Sequence, residues 1–398
     1  MLHGEDDVQY NWINGAESLE KYKLRGYHPI MIGDMLHKRY RIVDKLGFGG
    51  YSTVWLAKDT RLNHYVAVKV GIANSLPHES KILRALLVPQ PSSLSTHPGR
   101  KSIPLPLDEF ELRGPNGTHP CYTMTPARCN LREVSFSRLF PLEVTRALSA
   151  GLTLAIAYMH SQGYVHGDIH LRNVLVKLPS SFDQLPIEQL YETYGKPQAV
   201  PVTRCDGKPL PPNVPATAVI PHHLGKDAEE FSLSDAEVLL SDFGEAFSPA
   251  LNVRLGESCH TPLAMRPPEA RFEPQSPLSF FSRYLESGHN NLGNSWHEGD
   301  FQYWWERWDE RGQFFNQDGH PREDRDVWPP IDEAFEEGIQ RYRRKRGMGV
   351  FEVDETAAIL DLMRRMLAFR PEQRPTAEEI LKSEWMVKWA LPALTAAR

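Results

Sequence analysis

The chain has 398 residues, enough for about two or three ordinary domains or for one two-lobed enzyme with a ligand cleft. Its formal net charge of −6 argues against a nucleic-acid binder, which would carry a clustered basic face, and is compatible with a basic protein substrate. The four cysteines, Cys121, Cys129, Cys205 and Cys259, form neither a dense secreted framework nor C-x-x-C metal pairs, which favours a reducing compartment.

Residues 1–25 read as an N-terminal extension. Met1-Leu-His-Gly-Glu-Asp-Asp7 lacks a signal-peptide pattern and no stretch approaches the roughly 18 apolar residues of a membrane span, so a soluble chain is expected. From Tyr40 to Val70 short runs rich in Val, Ile, Leu and Tyr predict strands, interrupted by Gly47, Gly49 and Gly50. In Leu46-Gly-Phe-Gly-Gly-Tyr-Ser-Thr-Val54 the glycines let backbone N–H groups approach phosphates, with Ser52 where a third glycine is usual. By itself the pattern equally suits a plain structural turn. Its neighbours shift the balance. Lys69, in Val66-Ala67-Val-Lys69-Val, puts one ammonium in an apolar strand, where it needs an anionic partner. Glu79, in a helix-like segment that follows, is the candidate, and the pair would aim the ammonium at nucleotide α- and β-phosphates.

The run from Leu142 to His160, between Pro141 and Gly163, is apolar on most faces and predicts a buried helix. Next come Tyr164-Val-His166-Gly167-Asp168-Ile-His170-Leu-Arg-Asn173, an aspartate and an asparagine five residues apart in one loop. Such a carboxylate can orient a hydroxyl proton while the amide oxygen helps hold magnesium. Residues 178–233 are rich in Pro, Gly and charge without sustained periodicity and read as an insert, partly ordered at best. Asp242, in Leu239-Leu-Ser-Asp242-Phe-Gly244, is a second metal-binding carboxylate candidate. Glu269, in Arg266-Pro-Pro-Glu269, has a natural structural partner in Arg374. Trp304, Trp305 and Trp308 are expected to pack in a core, as are Trp296 and Trp328 nearby. Ala357–Leu367 and Thr376–Leu381 predict amphipathic helices, the second with a capping box to Glu379.

The ordered set resembles the eukaryotic protein kinases, and within them the serine/arginine-rich-protein kinases of a fungal branch. Gly26-Tyr-His-Pro29-Ile-Met-Ile-Gly33-Asp34, Arg39-Tyr-Arg-Ile-Val43, the glycine turn through Trp55-Leu56, and Trp385-Met-Val-Lys-Trp389 carry the closer likeness. It covers roughly residues 20–280 and 300–392. It implies an α+β fold with a small antiparallel β-rich N-lobe at 26–126 and a larger, mainly helical C-lobe at 127–392. ATP and Mg²⁺ are the implied cofactors and serine in arginine/serine-rich proteins the implied substrate, in cytoplasm or nucleus, for a monomer that binds neither nucleic acid nor membrane directly. Asp168, Lys69 and Asn173 would be catalytic. Leu46, Gly47, Gly49, Gly50, Val54, Ala67, Lys69, Glu79 and Met124, the last placed by its distance from Pro126, would hold the nucleotide. Asn173 and Asp242 would hold the metal.

Three departures qualify the likeness. Gly167 replaces the usual arginine before the aspartate, against switching by an arginine-bound activation-segment phosphate on Ser248, Ser258 or Thr261. His170 stands where a lysine often meets the transferred phosphate. Between Glu269 and Trp296 no apolar run is long enough for a central helix, so the C-lobe is expected to be incomplete, with a deletion around 280–296 and low stability. A catalytically impaired scaffold that binds nucleotide or a basic partner is therefore the alternative to an active kinase. A small-molecule phosphotransferase shares the Asp168 and Asn173 loop, but Arg-Pro-Pro-Glu269 and Arg374 speak against it.

Overall fold

A computed structural model describes residues 8–88, 97–135, 139–261, 266–280, 302–313, 315–317, 320, 322–323 and 329–397. The expected deletion around 280–296 lies, from residue 281 on, outside the described residues, as do Trp296 and Trp328. The chain divides into two compact units, Met1–Arg84 with Pro104–Cys129 and Lys177–Gly225, and Ala85–Ile103 with Asn130–Val176 and Lys226–Arg398. The fold is α+β.

The first unit is built on a six-stranded antiparallel sheet of order β1-β2-β3-β4-β6-β5, with β1 Met35–Leu36, β2 Tyr40–Phe48, β3 Ser52–Asp59, β4 Tyr65–Gly71, β5 Asp108–Gly114 and β6 Gly117–Met124. Strand alternation explains its two cores. Ile42, Trp55, Ala57, Val66, Val68 and Val70 lie on one face with Tyr40, Phe110 and Cys121. Val43, Leu56 and Tyr65 lie on the other, against Phe182, Leu190 and Leu224.

Those last three residues correct the reading of 178–233 as a segment partly ordered at best. The segment carries a helix at Ile187–Tyr194 and an antiparallel hairpin of Gln198–Pro201 with Thr217–Ile220. Up to Gly225 it belongs to the first unit rather than to the helical one. Its apolar residues are single anchors for a sheet face made elsewhere, which is why they show no periodicity of their own. The N-terminal residues are likewise built in: Ala16, Leu19, Tyr22 and Tyr27 share a core with Val202, Val214 and Ala218.

The second unit centres on α2, Leu142–Ser161, whose buried residues run from Val144 to Met159. Gly163 follows it at φ +77°, the left-handed conformation that ends helices. β7, Val174–Lys177, pairs antiparallel with β8, Val238–Leu240. α3 is Pro268–Phe272, α4 Val353–Met366 and α5 Ala377–Leu381. Thr376 and Glu379 form the expected capping box at the start of α5. Trp304 and Trp308 are buried with Phe315, as expected of core aromatics. None of the four cysteines forms a disulfide. Among the described residues no helix is long and apolar enough to cross a membrane.

Candidate active site

The first unit gathers the residues expected to hold a nucleotide. β2 and β3 meet in a hairpin around the glycine turn, where Gly47 pairs with Val54 and Gly49 N–H donates to the Ser52 carbonyl at 2.8 Å. In the β3–β4 register Val54 faces Lys69, and in the β4–β6 register Ala67 faces Met124. Ala67 and Met124 are buried, Leu46 and Val54 half-buried. α1, His78–Leu87, brings Glu79 to Lys69, with Nζ 2.6 Å from Oε2. Both side chains are mostly buried, at 12% and 14% exposure, so the expected pair forms where an unpaired ammonium would be costly.

The second unit gathers the residues expected to carry chemistry and metal. His166 is buried, accepts the Asp168 N–H at Nδ1 (3.3 Å) and has Nε2 3.0 Å from the Ser241 carbonyl, which assigns the proton to Nε2. Asn173 is buried and its amide nitrogen donates to the Asp168 carbonyl (2.9 Å) and to Asp168 Oδ2 (3.3 Å). Ser241 N–H donates to the Asn173 carbonyl at 2.9 Å, so the residue before Asp242 is tied to both His166 and Asn173. Asp242 itself is exposed and in the left-handed conformation, φ +61°. His170 Nε2 is 3.5 Å from Asp168 Oδ2 and 3.3 Å from Asn173 Nδ2, so the histidine at the lysine position belongs to the same cluster.

Among the described residues, no three His, Cys, Asp or Glu side chains converge as a metal cage. The two expected donors, the Asp242 carboxylate and the Asn173 amide oxygen, are hard oxygen ligands of the kind magnesium takes when it shares its shell with phosphates and water. The bonds from the Asn173 amide nitrogen orient that amide, so its oxygen is the atom that can face a cation.

Gly167 has a structural reason. Its φ is +84°, and a Cβ there would meet the Glu245 carbonyl oxygen at 2.0 Å. Thr261 Oγ1 donates to the Gly167 carbonyl at 3.2 Å. Glu245 accepts from Arg254 at 2.7 Å and sits 3.0 Å from His260 Nδ1. Thus 245–261 is held by its own charges beside the loop that lacks an arginine. Of the three hydroxyls considered for modification, Ser248 and Thr261 are buried and Ser258 is exposed. Glu269 and Arg374 form a bidentate pair at 3.0 and 2.8 Å, and Arg374 also donates to the Ala368 and Phe369 carbonyls. The pairing expected from sequence is present.

Sequence reasoning missed the cluster of Glu245, Arg254 and His260 and a buried pair behind the glycine turn, Lys45 with Glu17. Lys45, like Lys69, is a cation buried inside a strand. Its partner, 28 residues earlier, has no local signal.

A solved kinase domain superposes over 90% of this chain and 98% of its own length, with a TM-score of 0.55 at 15% identity. The chain has a protein-kinase fold. In sequence it resembles the SR-protein kinases: serine/threonine-protein kinase spk-1 of Caenorhabditis elegans is 36% identical over 186 residues, and SRSF protein kinase 3 of Homo sapiens is 30% identical over 184. Each match covers 44% of this chain, but only 17% and 31% of those two relatives. No family model matches.

Proposed function

We propose that the chain is a serine/threonine protein kinase that moves the γ-phosphoryl group of ATP to serine in arginine/serine-rich proteins. The observation that carries this reading is the Asp168 loop, in which the buried Asn173 amide clamps the Asp168 carboxylate and backbone. Asp168 accepts the proton of the attacking serine hydroxyl as the oxygen–phosphorus bond forms and ADP leaves. Lys69, aimed by Glu79, holds the α- and β-phosphates, and Leu46, Val54, Ala67 and Met124 surround the base. Asn173 and Asp242 would hold magnesium, which when bound offsets phosphate charge. Positioning and electrostatics supply the rate, since phosphoryl transfer asks little covalent chemistry of the protein. Relatives named as SR-protein kinases support the choice of substrate, and cytoplasm or nucleus as the place of action follows from the same likeness.

The test is magnesium-dependent transfer from radiolabelled ATP to an arginine/serine-repeat peptide, beside a peptide with its arginines replaced and an Asp168→Ala variant. The expected result is label in the first peptide only, reduced about 10²–10⁴-fold in the variant. Equal labelling of both peptides would sink the substrate assignment. ATP binding without transfer to either peptide would leave the impaired scaffold as the better reading.

A further inference from the structure

The glycine turn is open where its glycines stand. A Cβ at Gly47, Gly49 or Gly50 would meet nothing within 4 Å, and none of the three has a positive φ. Neither packing nor backbone conformation of this chain asks for glycine there, which fits a surface that a ligand approaches closely. On its other side the same turn is anchored by residues outside the sheet. The Tyr27 hydroxyl donates to the Gly49 carbonyl. Tyr27 is 1% exposed, its own N–H bonded to the Lys21 carbonyl at 2.9 Å and its carbonyl bonded to Asn116 Nδ2 at 2.7 Å.

Beneath this anchor lies a charged knot. Lys45, the residue before the turn's Leu46, donates to both carboxylate oxygens of Glu17, which also accepts the Tyr22 hydroxyl. Lys45 and Glu17 side chains are 1% and 2% exposed, and the Lys45 ammonium lies 4.9 Å over the Trp55 ring. The Tyr22 ring meets Tyr27 edge-on, with centroids 5.5 Å apart. So the knot fixes both the strand that enters the turn and the ring that holds it. Burial, then the Glu17 charge, pushes the Tyr27 phenol up to about 12, so it stays a donor across the neutral range.

A trans peptide holds its C=O and the following N–H on opposite sides, so a hydrogen bond that captures the Gly49 carbonyl aims the Gly50 N–H away from Tyr27. We infer that Tyr27 is a positioning residue for nucleotide phosphates, acting through the Gly49–Gly50 peptide on a base set by Glu17 and Lys45. This rests on the reading of the turn as a phosphate cradle. It gives the N-terminal extension a part in that site.

The experiment is calorimetric titration of wild type and Tyr27→Phe with MgATP and with adenosine. The variant keeps the ring and loses only the hydroxyl. Tyr27→Phe should bind MgATP about 3- to 10-fold more weakly, as for loss of one hydrogen bond, and bind adenosine within about twofold of wild type. In turnover the loss should fall on KM more than on kcat. The ratio of the two affinities is independent of the fraction of variant that is folded, because unfolded chain lowers the binding stoichiometry for both ligands alike. Equal weakening for both ligands, or no weakening for MgATP, would overturn the inference while leaving the kinase reading intact. A wild-type chain that binds neither ligand would overturn the kinase reading and this inference together.

Discussion

Asp44 shows how one residue can set a pH response. It is fully buried in β2, and burial pushes its carboxyl up to about 6 despite the Lys45 N–H it accepts and the nearby His222. His222, in the stretch from Lys177 to Gly225, has Nδ1 3.7 Å from Asp44 Oδ2 and donates its backbone N–H to the Lys45 carbonyl at 2.7 Å. A folded-state pKa above the unfolded value means the folded chain holds the proton more tightly. The contribution to stability is then present at low pH and lost as pH rises through about 6. Asp44→Asn does not titrate and can still accept the Lys45 N–H. Its melting temperature minus that of wild type should therefore grow between about pH 5 and pH 7.5, and a gap that stays flat or shrinks would refute this. At this scale sequence reasoning found Lys69 and Glu79 because a lone cation in an apolar strand demands a partner. It missed Asp44, Lys45, Glu17 and Tyr27, since no rule of spacing joins residues 17 and 45.

Between elements, the pair of Glu269 on α3 with Arg374 beyond α4 ties together parts of the second unit 105 residues apart. Both side chains are buried, at 5% and 1% exposure, so removing one leaves an uncompensated charge. Arg374→Met should cost about 3–5 kcal/mol in chemical denaturation. Adding Glu269→Leu to it should recover part of that loss, though not the carbonyls of Ala368 and Phe369 that Arg374 also serves. A double variant no more stable than the single one would show that the ion pair is not the source of the effect. Elements of this kind were legible in advance where their signals are local. The apolar run of α2, the Thr376 capping box and the loop around Asp168 are all read within one window of sequence.

At the scale of the molecule, each unit is assembled from three separate stretches of chain. The stretch from Lys177 to Gly225 shows the consequence most directly, because it covers one face of the first unit's sheet. Leu190 is completely buried and packs in the cluster of Val43, Leu56 and Tyr65. Leu190→Ala should lower stability by about 2–5 kcal/mol, a large share of the roughly 5–15 kcal/mol of a typical domain, seen as an earlier thermal transition. A transition that does not move would mean the segment is merely appended.

Local chemistry was legible from the order of residues alone: the glycine turn between two strands, a lysine needing a carboxylate, an aspartate and asparagine in one loop, and a helix with its capping box. These depend on backbone dihedrals, strand and helix periods and the cost of burying charge, all expressed over a few neighbouring residues. Folding in three dimensions set what covers each face of the sheet, that Gly167 must be small because the Glu245 carbonyl lies against it, and that Glu17 and Tyr27 stand behind the glycine turn. Those outcomes depend on which distant segments the chain brings together to exclude water, and hydrophobic burial, being non-directional, leaves no local spacing by which to read them.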